Sequence, residues 1–441
     1  MQLPTVLVRL VFVAALAGWA GGACAAGFAL IEQDASGLGN AFAGGAAVTE
    51  DAGTIYFNPA GMTRLPGKQV LAAAHAIGTN VKFTNQGSTT LGQPLTGGNG
   101  GNAGGWNAVA NLYLSWQLND SLWLGLGVNS PFGLKTEYEQ GWVGRYQALN
   151  SELMTININP SIAYKVSDKV SLGFGVSAQR IDATLSKAID QGTICLGVAP
   201  PGVCNAVVGP PQTADAQQQL SAGDWGYGFN LGALFQISPD MRIGVNYRSQ
   251  IKYTLTGSST YSSVNPLFAG NPSFQNTSAS ADLTVPDSAS VSVFQTFGDK
   301  WEMMSDITWT HWSVFNQLTV NFANGAPSNT TPEQWLNTWR FSLGLNYKFN
   351  EQWKLRTGVA WDQSPVPNPQ VRNPRVPDNS RTWLAIGGSW SFAKGASVDV
   401  GYAHLFVPDT SINHTESASG TLIGTYNNSV DIISLQVVYS F

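Results

Sequence analysis

Apolar and polar residues alternate along this chain in recurring segments, and the last nine residues carry the pattern plainly. Ile433, Leu435, Val437, Tyr439 and Phe441 take one parity, with Ser434, Gln436 and Ser440 on the other. Successive side chains of a strand point to opposite faces, so such a segment can show one face to lipid and the other to a polar lumen. A strand that closes on an exposed aromatic is a signature of an outer-membrane barrel. As the closing strand, this one is expected to pair with the first, near Lys68 to Phe83.

The same parity recurs upstream. Asn107 to Leu118 assigns Ala108, Ala110, Leu112, Leu114 and Trp116 to lipid, and Asn107, Asn111, Ser115 and Gln117 to the lumen. Thr155 to Val166 puts Ile156, Ile158, Ile162, Tyr164 and Val166 outward. Met241 to Lys252 turns Ile243, Val245, Tyr247 and Ile251 outward, and Arg242, Asn246, Arg248, Gln250 and Lys252 inward. Arg340, Lys348, Lys354, Arg356, Glu302 and Asp306 also read as inward. A basic side chain facing lipid at the midplane costs ~2–4 kcal/mol, which makes the parity of these charges diagnostic. Their ordinary role is a ladder of ion pairs and hydrogen bonds that fills a barrel. One break stands out: Arg180, Asp182 and Thr184 fall on the face that Leu172, Phe174 and Val176 give to lipid. Either a bulge turns the strand there or it has left the hydrocarbon region.

The links between segments alternate in length. Short polar links occur at Asn119-Asp120, Ser167 to Lys169, Ser238 to Asp240, Gly298 to Lys300, Asn350-Glu351 and Ala393 to Gly395. Long Gly, Asn, Ser and Pro-rich stretches fall between them, near Thr84 to Gly105, Pro131 to Ser151, Ala188 to Gly223, Ser258 to Ser278, Phe322 to Leu336, Ser364 to Asn379 and Thr410 to Asn428. Periplasmic turns alternating with extracellular loops predict an all-β fold, a 14-stranded antiparallel transmembrane β-barrel with both ends on the periplasmic side.

Composition agrees with a membrane barrel. Only 11% of the 441 residues are charged, against about 25% in soluble proteins. Hydrophobic residues make up 43%, yet no apolar run outside the N-terminus reaches the eighteen or more residues, roughly, that a spanning helix needs. Residues 1–25 read as a secretory signal: Val6 to Ala20 is apolar apart from Arg9, and Ala23-Cys24-Ala25 supplies small residues for cleavage before Ala26. The formal charge of −5 becomes about −6 without Arg9, which excludes a nucleic-acid surface.

Residues 26–67 do not read as strands. Phe28, Leu30, Leu38, Phe42, Tyr56, Phe57 and Met62 are set among Gly and Ala, a composition suited to a compact hatch inside the lumen of a barrel formed by residues 68–441. A barrel of about fourteen strands is wide enough that it needs such a plug to avoid an aqueous channel. Asn58, Pro59 and Ala60 make a rigid turn near the hatch end.

At this point the chain resembles the FadL family of outer-membrane long-chain fatty acid and aromatic hydrocarbon transporters. The resemblance covers essentially the whole mature length. It rests on Ala26-Gly27-Phe28, Ser36-Gly37-Leu38-Gly39, Asp51-Ala52-Gly53 and Asn58-Pro59-Ala60, then on Trp225 to Asn230, Tyr247-Arg248-Ser249, Trp312-Ser313 and Arg356-Thr357-Gly358. The run Asp362 to Pro367, with Val376-Pro377-Asp378, Arg381-Thr382-Trp383 and Val398 to Tyr402, is its most specific part. The resemblance implies passive uptake through an extracellular groove, a hatch-side pocket and a side opening at a kinked third strand. Phe28 would line the pocket, with Leu30 and Asn58 to Ala60 as hatch neighbours. Pro131-Phe132-Gly133, at the end of the third strand, is where a missing ladder donor either opens the wall or ends the strand.

A carboxylate cargo wants a basic partner, and Arg180, Arg248, Lys252 and Arg381 are candidates. Fatty acid transporters of this family tend to carry a Lys shortly after the Trp-Ser pair, where this chain reads Gln317-Leu318-Thr319. A monoaromatic hydrocarbon is therefore the alternative cargo, and a general porin a further one. The four His have no flanking triad motif, which points away from an enzyme. No cofactor or metal is expected. Cys195 and Cys204 share one Pro/Gly-rich segment, and an oxidising compartment favours a loop disulfide over two free thiols. The expected partners are hydrophobic small molecules, outer-membrane lipid and the barrel assembly machinery, in a Gram-negative outer membrane.

Overall fold

The computed structural model describes residues 27–416 and 419–441. The signal expected over residues 1–25 lies outside them. Fourteen antiparallel strands close into a barrel. They are β1 (Lys68–Asn85), β2 (Trp106–Gln117), β3 (Leu122–Asn129, resuming as Gly133–Glu137), β4 (Asn150–Lys165), β5 (Val170–Asp190), β6 (Asp215–Ser238) and β7 (Met241–Arg248, resuming as Ile251–Ser262). Then follow β8 (Thr277–Val285 and Ser288–Phe297), β9 (Trp301–Thr310 and Gln317–Phe322), β10 (Asn329–Pro332 and Thr338–Lys348), β11 (Trp353–Asp362), β12 (Arg381–Ala393), β13 (Ala396–Phe406) and β14 (Gly420–Ser440). Each pairs with its sequence neighbour. The seam closes where Gln69 faces Ser440 and Asn85 faces Gly424, with the Lys68 N–H donating to the Phe441 carbonyl at 3.0 Å.

Alternation decides which face each residue takes. Leu343, Leu355, Ile386, Ile433 and Leu435 are exposed on the outer surface, while Asn111, Ser115, Asn157, Asn346 and Gln436 are buried inside. Trp116, Trp301, Trp353, Trp390 and Tyr439 stand exposed beside the short turns. Their amphipathic rings suit the membrane interface.

Parity fails at two adjacent predicted positions. Lys252 is exposed on the outer face and Ile251 is buried, the reverse of the assignment from strict alternation. The reason is a bulge: β6 pairs Asn230 with Arg248 but Gly223 with Thr256, so the register slips by one residue around Ser249 and Gln250. The break near Arg180 has the other explanation. Alternation continues through β5, leaving Arg180 on the outer face and bonded to Asp182 at 2.6 Å. That strand has 21 residues, and about 9–11 suffice to cross the hydrocarbon, so its upper half stands clear of the membrane.

The hatch lies inside the barrel. Helix α1 (Ala35–Leu38) is capped by Asp34, whose Oδ1 accepts from the Gly37 N–H at 2.7 Å. Helix α2 (Thr54–Phe57) leads into a 3-10 turn, Pro59–Arg64, capped by Asn58. The wall's inward cations hold it. Arg340 donates to the Ala41 carbonyl, Arg242 to that of Ala47 and Arg248 to that of Tyr56. Glu50 pairs with Lys354 at 2.8 Å and with Arg356 at 2.9 Å, and Arg356 also pairs with Asp399 at 2.8 Å. Hatch backbone runs so close to the wall that a Cβ on Gly358 would lie 2.1 Å from the Asn40 carbonyl carbon. Only glycine fits such an approach.

Candidate functional site: an apolar cavity beside the broken third strand

Three residues, Ser130 to Phe132, interrupt β3. Below them β3 pairs with β2 as far as Val128 opposite Leu112; above them Gly133–Glu137 pairs with β4 and no longer with β2. The wall is therefore unpaired between β2 and β3 until the Glu137 N–H reaches the Ala103 carbonyl at 2.9 Å. Pro131 lacks the N–H that a ladder needs. Its carbonyl instead accepts from the Leu30 N–H at 2.8 Å, and the Gly133 N–H donates to the Phe28 carbonyl at 2.9 Å. The start of the hatch thus pairs with the broken strand, with Ala29 bridged to Phe132.

That pairing places Phe28 in a cage of rings. Its ring centroid lies 4.8 Å from Trp312, 5.6 Å from Phe315 and Trp335, and 6.0 Å from Phe132. Gly27 enters with φ +64, and a Cβ there would sit 2.7 Å from Trp335 and 2.8 Å from Trp312. The Gly27 N–H donates to Asp378 Oδ2 at 3.2 Å.

Phe28 is one wall of a partly open cavity of about 870 Å³, its open mouth included, lined chiefly by Leu134, Leu153, Leu255, Leu283, Phe315 and Val376. Its polar lining is concentrated in Glu152, Glu333, Asn373 and Arg375. Toward the extracellular loops it adjoins a second recess that shares Leu185, Leu220, Leu318, Val320, Glu333, Asn373 and Arg375. Burial pushes the Glu333 carboxyl up to about 8, against the opposing pull of the Trp335 indole N–H, Arg375 and Asn373. The Asp378 carboxyl is also raised by burial, with Arg381 opposing.

The sequence-derived candidates separate into groups. Phe28, Leu30, Pro131, Phe132 and Gly133 come together at the broken strand. Asn58, Pro59 and Ala60 lie apart from the cavity, against the β5–β6 wall, where Asn58 donates to the Ala46 and Ala233 carbonyls at 2.7 and 2.9 Å. Arg248 stacks on Tyr56 of the hatch, 4.2 Å from its ring. Arg381 pairs with Asp378 at 2.5 Å and Asp362 at 3.7 Å, behind the Gly27 contact. Arg180 and Lys252 face outward, away from the cavity. Cys195 and Cys204 form a disulfide joining helices α3 (Gln191–Leu196) and α4 (Pro201–Val207) in the loop after β5.

Sequence reasoning missed Glu333, Asn373 and Arg375. Both segments fall in loops where alternation carries no information, although a charged residue set between prolines, as in Pro374-Arg375-Val376-Pro377, is a signal of an ordered loop. Both Nη atoms of Arg375 hold loops together: Nη1 donates to the Asn150 carbonyl and Ser151 Oγ, and Nη2 to the Gln147 and Ser186 carbonyls.

Comparison with known proteins agrees with this geometry. The family model described as outer membrane protein transport protein (OMPP1/FadL/TodX) matches residues 16–441. A long-chain fatty acid transport protein of Escherichia coli O6:H1 is 30% identical, with 90% of each chain covered. Outer membrane protein P1 of Haemophilus influenzae is 31% identical over 88% of this chain and 87% of its own length. Among solved structures, a Pseudomonas aeruginosa FadL homologue superposes with TM-score 0.87 at 26% identity, covering 96% of this chain and all of its own. The Pseudomonas putida toluene transporter TodX shares the fold, with TM-score 0.68 at 16% identity over 91% of this chain and 98% of its own.

Proposed function

Because the chain belongs to the OMPP1/FadL/TodX family of outer-membrane transport proteins, we propose that its cargo is a long-chain fatty acid, taken up passively. The cargo enters from the recess among the extracellular loops, rests in the cavity beside Phe28 and leaves sideways through the unpaired wall at β3 into outer-membrane lipid. The observation that carries this reading is the adjacency of an apolar cavity, the hatch start and the broken strand.

Burying a CH₂ group is worth ~0.8 kcal/mol, so a chain of about sixteen carbons prefers an oily environment by ~13 kcal/mol. A water-filled pore opposes such a cargo, and a series of moderately apolar sites does not. In this reading residues 1–25 direct export, 26–67 form the hatch and 68–441 the wall, inserted by the barrel assembly machinery. Phe28 and Leu30 gate the passage, and the protein catalyses no reaction. Arg248 and Arg381 support the hatch, as do Asn58, Pro59 and Ala60.

A monoaromatic hydrocarbon is the second reading. It is favoured by Gln317, which stands exposed where fatty acid transporters tend to carry a lysine. A general porin is less compatible with a lumen occupied by the hatch. Deleting Gly27 to Leu30 and measuring uptake of labelled oleate by intact cells tests the gate. Altered uptake at equal surface expression supports it; unchanged uptake rejects it. Labelled toluene in the same cells separates the two cargoes.

A further inference from the structure

Glu333 lines the Phe28 cavity, and the protein leaves one of its buried carboxyl oxygens without a partner among the described residues. Glu333 is buried at 5% exposure, and its Oε1 accepts from Asn373 Nδ2 at 2.7 Å. The Trp335 indole N–H lies beside the same carboxyl group, near enough to favour its charged form. Among the described residues, Glu333 Oε2 has no hydrogen-bond partner. A buried polar atom left without a partner costs about 1–3 kcal/mol. One such oxygen, in the lining of a largely apolar cavity, describes a complement to a small polar head on an apolar tail.

The backbone sets these groups in place. Gln334, between them, takes a left-handed conformation with φ +52, and the N–H groups of Glu333 and Gln334 both donate to the Asn316 carbonyl, at 2.9 and 2.8 Å. The Leu336 N–H is held by the Pro365 carbonyl at 2.9 Å. Trp335 also packs on Phe28, Trp312 and Phe315, so the indole is braced by the same cage that closes the cavity.

We propose that Glu333 forms the head-group site of this cavity, sharing a single proton with the carboxyl group of an acyl-chain cargo, while the Trp335 indole beside it positions the Glu333 carboxyl. This rests on the reading of the cavity as the cargo site. The cargo arrives as a carboxylate, and the Glu333 O–H donates to it. The pair then carries one proton and one negative charge between two carboxyl groups. Burial holds the Glu333 proton at neutral pH, its titration lying near about 8.

The charged groups around it fit this role. Arg375 supplies a nearby positive charge that offsets the single negative charge, but its own donors are turned to backbone carbonyls and Ser151. Glu416, at the end of the strand segment Thr410–Glu416 that pairs with β14, opposes ionisation and is itself paired with Lys187 of β5 at 3.5 Å. Glu152 of β4 lines the same cavity. Above the Glu333 titration two like charges face each other, and binding of an acid is lost while binding of an alcohol is not, because an alcohol O–H donates equally well to a carboxylate.

The test uses the purified full-length mature protein in lipid nanodiscs, with dodecanoate and dodecanol as probes at pH 7 and pH 9. Dodecanoate affinity is expected to fall about tenfold between these values, as expected for titration of one group near the middle of that range, with dodecanol unchanged. Glu333→Gln keeps a permanent donor and the bond to Asn373, so its dodecanoate affinity is expected to be independent of pH. Trp335→Phe is expected to weaken both probes at both pH values. A wild-type dodecanoate affinity that does not change with pH, or a Glu333→Gln variant with the same pH dependence as wild type, overturns the head-group assignment. Failure of both probes to bind the wild type overturns the cavity reading as well.

Discussion

The N–H of Gly27 donates to the carboxylate of Asp378 at 3.2 Å, joining residues 351 positions apart in the chain. Asp378 is in turn held by Arg381 at 2.5 Å and by Ser364 Oγ at 2.7 Å. The loop after β11 thereby clasps the start of the hatch. Asp378→Ala removes the clasp and takes a buried carboxylate from Arg381. Breaking one side of a buried ion pair costs about 3–5 kcal/mol. Hydrogen exchange at Gly27 to Leu30 is expected to accelerate strongly, and Asp378→Asn, which keeps an acceptor for Gly27, is expected to show a smaller effect.

Gly358 tests whether the close approach of hatch and wall is obligatory. Gly358→Val places side-chain atoms where the Asn40 backbone now lies, so the hatch is expected to be displaced from the β11 wall. Single-channel recordings are expected to show ion conductance above that of the wild type. Gly105→Val, at a position with open space around its Cβ, serves as the control and is expected to conduct as the wild type does.

Arg356 joins hatch to wall through Glu50 and Asp399. Arg356→Met leaves Asp399 without this cation and Glu50 with Lys354 alone among the ion pairs of the described residues. A loss of about 3–5 kcal/mol is expected for the hatch's attachment. Protease susceptibility of the segment around Glu50 reads it directly.

The disulfide between Cys195 and Cys204 closes a short loop in an extracellular lobe that packs on Phe268 and Phe274. Closing a loop of about ten residues is worth roughly 2.5 kcal/mol. Replacing both cysteines with Ala is expected to make that lobe sensitive to protease while leaving the heat-induced unfolding of the barrel unchanged, because the wall's ladder does not depend on the lobe.

Glu333 gives a pH dependence with a definite sign. Its carboxyl titrates near about 8 in the folded loop, against the ordinary 4.5. Between these values an opened loop gives up the proton while the closed loop keeps it, so closure weakens as pH rises and levels off above about 8. The whole change is at most about 5 kcal/mol. Protection of the Glu333 and Gln334 amides, corrected for intrinsic exchange, is expected to fall over that window, and Glu333→Gln is expected to abolish the fall.

The architecture of the wall was legible in the sequence because strand parity is a local property. Lipid on one face and a polar lumen on the other force alternation residue by residue, and the turns and loops of Asn119-Asp120 or Ala393 to Gly395 declare themselves by composition. The inward facing of Arg340 and Arg356 followed from the same parity, whereas their contacts with the hatch did not. Lys252 shows the limit of such reasoning. A one-residue slip around Ser249 and Gln250 turns the remainder of β7 over, and whether a strand slips depends on what its neighbours pair with.

The sequence by itself determined the barrel, its fourteen strands and the presence of a hatch, since each follows from periodicity and composition. Only the tertiary structure decided that Phe28 pairs into the break at Pro131 and that Arg381 serves Asp378. It alone brought Glu333, Asn373 and Arg375 to one cavity. Those residues come from the hatch, β3, the loops around β10 and the loop before β12, and nothing in local alternation encodes distances between segments that meet only when the barrel closes.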